Sequence, residues 1–496
     1  MSRKNHLCEK EQKNMAAKYE IIFGNQLSQK DIKKAEKTKK KFIKKFGDDS
    51  QKDYRFAVSE QPVLTPLGTK VLRFGDGASF SEKTVFIGNI RMGFGHYRIS
   101  MAMASCAHAL GFEPIWLDLN SFEGSACTGI ISHQNDLYSM GSRLSQKSKL
   151  FNKLYWDPLN SEGFRKLSYN AGDQASAEIM ANLLRSLPKD LPFVATHVWP
   201  AQAAIHAGFQ HVVNAMPDNW PMALHLAEGS IHTVQTQSAY LGYKALRGMD
   251  KSRTLKPMPE GSIVYTGHYV DHELLFELAD DTAKRVDRIK SGKAKRYLLT
   301  VGGAGAQQKL FADIIRTLLP EIKTGRAALF INTGDHFGVW ENLKANIPEL
   351  KDAVVFQDRY NDAKAFAQNA IGGEVEGITA FCHSDIFAAV YITNLLMRAS
   401  DVLVTKPGEL TFYPIPKLFI QHVGGHEVWG AIHSAEVGDG TYEVAPGRET
   451  ADMIRLLQNE EEILLNMNNR ILQNHAAGLY NGAYEVIRLA TEKQRK

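Results

Sequence analysis

Cysteine is scarce in this chain. Its 496 residues hold four, Cys8, Cys106, Cys127 and Cys382. They form no CxxC pair and no framework spacing, which excludes a disulfide scaffold and argues against a structural zinc site. Such usage fits a reduced, cytoplasmic setting. Long apolar runs are also missing. No stretch approaches the roughly 18 residues of a membrane span, and the polar start MSRKNHLCEKEQKN lacks the apolar region of a secretory leader. Charge of one sign is not in large excess: the net value is +5. Two chemical signatures are absent as well. No glycine-rich loop ends in the Lys-Ser/Thr of a P-loop, and HVGGHE is not the HExxH of a zinc hydrolase. Neither a metal nor a resident cofactor is therefore expected.

What is present is an ordinary globular composition, 44% apolar and 23% charged, in a chain long enough for two or three domains. Lysine gathers in residues 29–46, QKDIKKAEKTKKKFIKKF. This stretch reads either as a solvated helix face or as a contact for an anionic membrane surface or nucleic acid. From Thr84 the texture changes to short β-branched runs alternating with glycine turns and helical periodicity. Strands are expected at Thr84–Asn89, Glu113–Leu117, Phe193–Thr196, Gln210–Ala215, Ser230–Thr236 and Gly261–Thr266. A second series is expected at Arg296–Val301, Ala327–Asn332, Ala353–Gln357, Asp401–Thr405 and Lys417–Gln421. Repeated strand–turn–helix–strand units predict parallel, doubly wound sheets in two similar halves. The expected divisions are a basic helical extension over 1–80, a first Rossmann-like half over 81–275 and a second over 276–470. Residues 471–496 are expected to form a helix that packs back on the first half. The segment Asp362–Tyr391 falls outside the scheme and reads as an insertion.

Several turns could carry chemistry. In Asn89–Ser100, NIRMGFGHYRIS, Gly93 and Gly95 allow close approach of a ligand to a helix N-terminus, with His96 and Arg98 at its mouth. The same glycines would also suit a turn that merely packs. Leu299–Gln307, LTVGGAGAQ, can cradle a diphosphate through backbone amides. In Asp401–Phe412, Glu409 stands where a carboxylate could take ribose hydroxyls, or simply cap the next turn, and Lys406 could face a phosphate. His422–Ala431 places His426 and Glu427 behind a glycine turn. Asp218-Asn219-Trp220 with His225, and Tyr265–Asp271 (YTGHYVD), name no reaction by themselves.

In this order, the motifs NIRMGFGHYRISMAMA, NAMPDNW, YTGHYVD, VGGAGAQ, ASDVLVTKPGEL and GGHEVWGA resemble those of one enzyme family. They are similar to the monogalactosyldiacylglycerol synthases and to the lipid-linked N-acetylglucosaminyltransferases of peptidoglycan synthesis, over roughly residues 84–490. The resemblance implies a GT-B fold and inverting transfer from a nucleoside-diphosphate sugar, UDP-linked in this family, to a lipid or other hydroxyl. The sugar nucleotide would be a co-substrate, no cofactor would be needed, and nucleic acid would not be a partner. It further implies a cytoplasmic enzyme, peripheral on the inner face of an anionic membrane. Carried onto this chain, His96 would be the base. Gly302, Gly303, Gly305, Lys406, Gly408, Glu409, His426 and Glu427 would line the donor side. Gly93, Gly95, Arg98, Asp218 and Trp220 would lie on the acceptor side. Two departures stand out: His268 replaces the usual residue of the TGxPVD turn, and ELTFYPIPKLFI leaves little room for a helix after Glu409. A sugar-nucleotide epimerase or hydrolase on this fold, or a non-catalytic binding protein, would keep many of these features.

Overall fold

The computed structural model describes residues 19–492 except Asp157, Gly303, Ala304 and Ala306. A two-residue ladder, β1 (Ile21–Ile22) with β2 (Asn25–Gln26), precedes the lysine-rich helix Gln29–Phe46. Ser28 caps that helix, its side chain accepting from the Asp31 amide. Ile32, Ala35 and Phe42 are buried, whereas eight of its lysines, among them Lys33, Lys37, Lys40 and Lys44, face solvent.

Among the described residues, eight strands form the first sheet: β3 (Phe56–Glu60), β4 (Lys70–Phe74), β5 (Thr84–Asn89), β6 (Glu113–Asp118), β7 (Phe193–Ala195), β8 (Val212–Ala215), β9 (Ile231–Val234) and β10 (Ile263–Tyr265). Their spatial order is β10-β9-β8-β7-β5-β6-β4-β3, parallel except for β3. Seven more form the second sheet: β11 (Lys295–Thr300), β12 (Ala327–Gly334), β13 (Val354–Gln357), β14 (Gly377–Cys382), β15 (Val402–Thr405), β16 (Lys417–Phe419) and β17 (Gly440–Glu443). The order here is β13-β14-β12-β11-β15-β16-β17, parallel throughout. Central strands such as TVFIGN and AALFINTG are buried along their whole length, as sheets covered by helices on both faces require. The architecture is α/β, two facing Rossmann-like units of the GT-B type.

Two parts of the sequence scheme change. Residues 56–74, grouped with the extension, supply two strands of the first sheet rather than standing apart from it. The segment Asp362–Tyr391 is no insertion. It contributes most of the helix Tyr360–Gly372, all of β14 and the start of the helix Ile386–Ala399, and β14 lies inside the sheet, between β13 and β12.

In each sheet the first strand of the βα series has its successor on one side and a later strand on the other, β7 beside β5 and β15 beside β11. The order therefore reverses between β5 and β7, and again between β11 and β15. Such switch points leave a crevice at the carboxyl ends of the strands, because the flanking connections depart in opposite directions.

The chain returns to the first unit at its end. The helix Glu461–Ala476 contacts the helix Leu278–Lys290 on the second unit, whereas Gly482–Thr491 packs on the first. Val486, Ile487 and Ala490 share one apolar cluster with Val85, Ile87 and Ala102. Burial of Val486 and Ile487 stabilises this return by about 1.5–3 kcal/mol each. The two connecting segments run side by side: the His268 amide donates to Leu479 O (2.7 Å) and the Gly482 amide to His268 O (2.9 Å).

Candidate functional site

The two switch points face each other. From the first unit, β5 leads through Gly93, whose φ of 76° suits glycine, into the helix Gly95–Ala109. No side chain caps this helix, so its first amides are available to an acceptor from outside. A side chain at Gly95 would press on the Glu409 carboxylate of the second unit, 3.2 Å from the position of a Cβ. Gly95 thus permits the close approach of the two halves.

His96 opens that helix. Its Nδ1 donates to the carbonyl of Thr196, at the end of β7, over 2.7 Å. A carbonyl can only accept, so Nδ1 carries the proton and Nε2 is the basic position. Burial pushes the imidazole below its ordinary value, with partial opposition from the Thr196 bond and from Asp218 and Glu409. The ring stands edge-on to His197, centroids 4.7 Å apart. The sequence places His197 at the C-terminal end of the strand Phe193–Thr196 but names no role for it; the structure sets it against His96.

Asp218 follows β8. Burial works to raise its carboxyl, but the hydrogen bond from His225 and the neighbouring His426 and His96 prevail and hold it well below the usual carboxylate range. His225 Nε2 lies 3.2 Å from one carboxylate oxygen. His426 Nε2, from the second unit, lies 4.0 Å from the other. Beside this contact Trp220 stacks on Trp429 across the interface, centroids 5.2 Å apart at 20°, and the Arg165 guanidinium sits 4.5 Å from the Trp220 ring centroid. Trp429 lay within the GGHEVWGA motif but had not been singled out.

From the second unit, the ends of β11 and β15 meet through Thr300 and Thr405, whose hydroxyls are 3.0 Å apart. Gly302, Lys406 and Glu409 line a cavity here together with Phe94 and Arg98 of the first unit. Its volume is 20 Å³, space for about one water molecule. The Lys406 ammonium pairs with Glu427. Burial opposes its charge, yet Glu427 and Glu409 raise it above the ordinary lysine value. Glu427 also accepts from the Val423 and Gly424 amides at 2.9 and 3.2 Å, which folds the His422–Ala431 loop around Lys406. Gly408 lies beside this pair, a Cβ there falling 3.0 Å from Lys406 Nζ. Gly305, with φ 62°, borders His336. Gly303 lies outside the described residues.

Arg98 does not stand at an open acceptor mouth. It is 2% exposed and turned into the second unit, donating to Asn394 and to Val390 O (3.3 Å). Its Nε lies 3.8 Å from Glu409. Glu409, considered as a ribose acceptor, therefore faces an arginine and a helix N-terminus across the interface. After it comes only the 3-10 turn Glu409–Phe412 before β16, as the short ELTFYPIPKLFI segment suggested. His268 is fully buried; its Nδ1 donates to Phe412 O (3.0 Å) and its Nε2 is 2.8 Å from His433 Nε2.

Two facing, predominantly parallel sheets with opposed switch points define an α/β scaffold of the GT-B class. Residues 21–245 match a family model described as a domain of unknown function (DUF6937), and residues 258–491 match a second, also a domain of unknown function (DUF6938). No curated protein matches the chain. Among solved structures, it is similar to UDP-GlcNAc 2-epimerase from Neisseria meningitidis, at 11% identity and TM-score 0.44, over 82% of this chain and 100% of that one. It is also similar to an alpha,alpha-trehalose 6-phosphate synthase from Burkholderia multivorans (12%, TM-score 0.41, 83% and 98%). A third is UDP-GlcNAc 2-epimerase from Methanocaldococcus jannaschii (12%, TM-score 0.41, 82% and 99%).

Proposed function

We propose that the chain is a glycosyltransferase that binds a nucleoside-diphosphate sugar at the end of β11 and β15 and passes the sugar to a hydroxyl held beside His96. One observation carries this reading: a neutral histidine, fixed with Nε2 as its basic atom, stands at one switch point opposite the lysine-bearing glycine turn of the other. A base of that kind can take the proton of an attacking hydroxyl. Lys406, on the second unit, offers positive charge to a departing diphosphate. Asp218 is positioned to favour the imidazolium that forms as His96 accepts the proton. Attack from the face opposite the leaving group would invert the sugar carbon.

An apolar acceptor is part of the proposal. Leu137, Met140, Leu144, Leu150, Leu154 and Tyr155 are exposed. They belong to the helical run from Ala126 to Gly163, whose end reaches the Gly425–Glu427 turn of the second unit. The exposed lysines of Gln29–Phe46 lie alongside, Lys45 being 3.2 Å from His133. The pairing of apolar and basic surface suits a lipid in an anionic bilayer.

The test is a melting screen of the full chain with UDP, GDP, ADP, TDP and their sugars, followed by turnover assays. One nucleotide and its sugar are expected to raise the melting temperature. His96→Ala should keep that rise but lose about 10²–10⁴-fold in turnover. No shift with any nucleotide would overturn the reading in favour of a non-catalytic scaffold.

A further inference from the structure

The second sheet has another opening, away from its switch point. Where β13 and β14 end at the sheet's edge, a pocket of about 500 Å³ opens, and it shares no lining residue with the cavity at β11 and β15. His383, the first residue after β14, lines it. This residue is 1% exposed, and neither of its ring nitrogens has a hydrogen-bond partner. A neutral imidazole has one donor and one acceptor, and leaving both unmet in the interior is costly. The Tyr360 hydroxyl, also in the lining, is likewise buried without a partner. The two rings meet edge to face, 6.2 Å apart. Two of the lining residues thus carry three buried polar atoms whose hydrogen bonds are unmet.

The charge around them selects the ligand. Asp358, Asp362 and Asp385 line the pocket. Arg359 does as well, but its guanidinium is engaged: it donates to Val355 O (2.6 Å), lies 3.5 Å from Asp362 and rests over Phe356. An anion would meet net negative charge. A neutral ligand rich in hydroxyls would instead donate to the carboxylates and exchange hydrogen bonds with His383 and Tyr360. Gln61 of the first unit closes the pocket from the other side, its amide donating to Asp385 at 3.1 Å. We propose that this pocket binds a free sugar or polyol, separately from the nucleotide-sugar cleft.

The test is saturation-transfer NMR and calorimetry on the full chain with glucose, galactose, mannose, N-acetylglucosamine and myo-inositol. At least one should bind, with the contact retained in the presence of UDP and in His96→Ala. His383→Gln and the milder Tyr360→Phe should each weaken it at least tenfold, with melting curves confirming that both variants fold. Absence of binding by every probe would overturn the proposal. So would binding lost in His96→Ala yet intact in both pocket variants, which would place the sugar in the main cleft. Binding of inorganic phosphate, or of Mg²⁺ or Ca²⁺ alone, with no sugar bound would also overturn it.

Discussion

At the scale of single residues, the value of His96 lies in its tautomer. The Thr196 carbonyl dictates which nitrogen holds the proton, and burial keeps the ring neutral. Because its acidity is displaced below the ordinary 6.5, the basic form persists as pH falls past that point. The acid limb of a kcat/KM profile should therefore lie below pH 6.5, and a limb at or above that value would remove His96 from the role of base. Another residue-scale consequence concerns Lys417 and Asp439, both fully buried and 2.9 Å apart. Ser434 and Tyr480 also donate to Asp439, at 2.5 and 2.8 Å. Asp439→Ala would strand an ammonium in the interior and should cost about 3–5 kcal/mol in denaturant melts. The GFGH turn was legible in the sequence because strand, glycines and helix are adjacent there. The engagement of Arg98 was not: Val390 and Asn394 are 292 and 296 residues away, and no local pattern encodes such a pair.

At the scale of elements, the strands of the two βα series could be read because buried parallel strands are short apolar runs between turns. β14 escaped because GITAFC follows GGEVEG and precedes a polar HSD, so its neighbours masked a central strand. β3 and β4 escaped because FAVSE and KVLRF mix polar with apolar residues, as strands at or next to a sheet edge do. The lysine-rich helix is welded to the core by Ile32 and Phe42, so its deletion would test folding more than binding. Lys33, Lys37, Lys40 and Lys44 to Glu should instead leave the melt intact. If the helix meets an anionic bilayer, these changes should weaken cosedimentation with phosphatidylserine vesicles by about 1 kcal/mol per lysine. Unchanged sedimentation would exclude the helix from membrane contact. The His268–His433 contact joins the interdomain segment to the helix Val428–Val437. Burial lowers both rings, His433 to about 4. The unfolded chain then binds more protons below about pH 6.5, and stability should fall from there toward pH 4. His433→Gln should flatten that slope in pH-dependent melts; an unaltered slope would assign it to other groups.

At the scale of the whole molecule, the two units meet closely where their switch points face each other, a Cβ at Gly95 falling 3.2 Å from Glu409. The cavity there is 20 Å³, against roughly 300–1,000 Å³ in small-molecule sites, so the proposed sugar nucleotide would require the units to part at this point. The Trp220–Trp429 stack crosses the line of parting. An aromatic pair of this kind contributes about 0.5–1.5 kcal/mol, so Trp429→Ala should shift the closed-to-open ratio up to about tenfold. Small-angle scattering should then show a larger radius of gyration, and an unchanged radius would mean that the stack does not restrain opening.

The paired connections between the units have a mechanical meaning. A single strand of chain would act as a swivel, free to twist about every direction. Here Gly267–Asp271 and Leu479–Gly482 are laced together by backbone hydrogen bonds and by the bridge of Tyr269 to Asn481. They form an axle. A twist across the pair would break those bonds, whereas a hinge rotation about it would leave them intact. Displacement then grows with the lever arm, and contacts close to the axle can persist while those at the far rim separate by many ångströms.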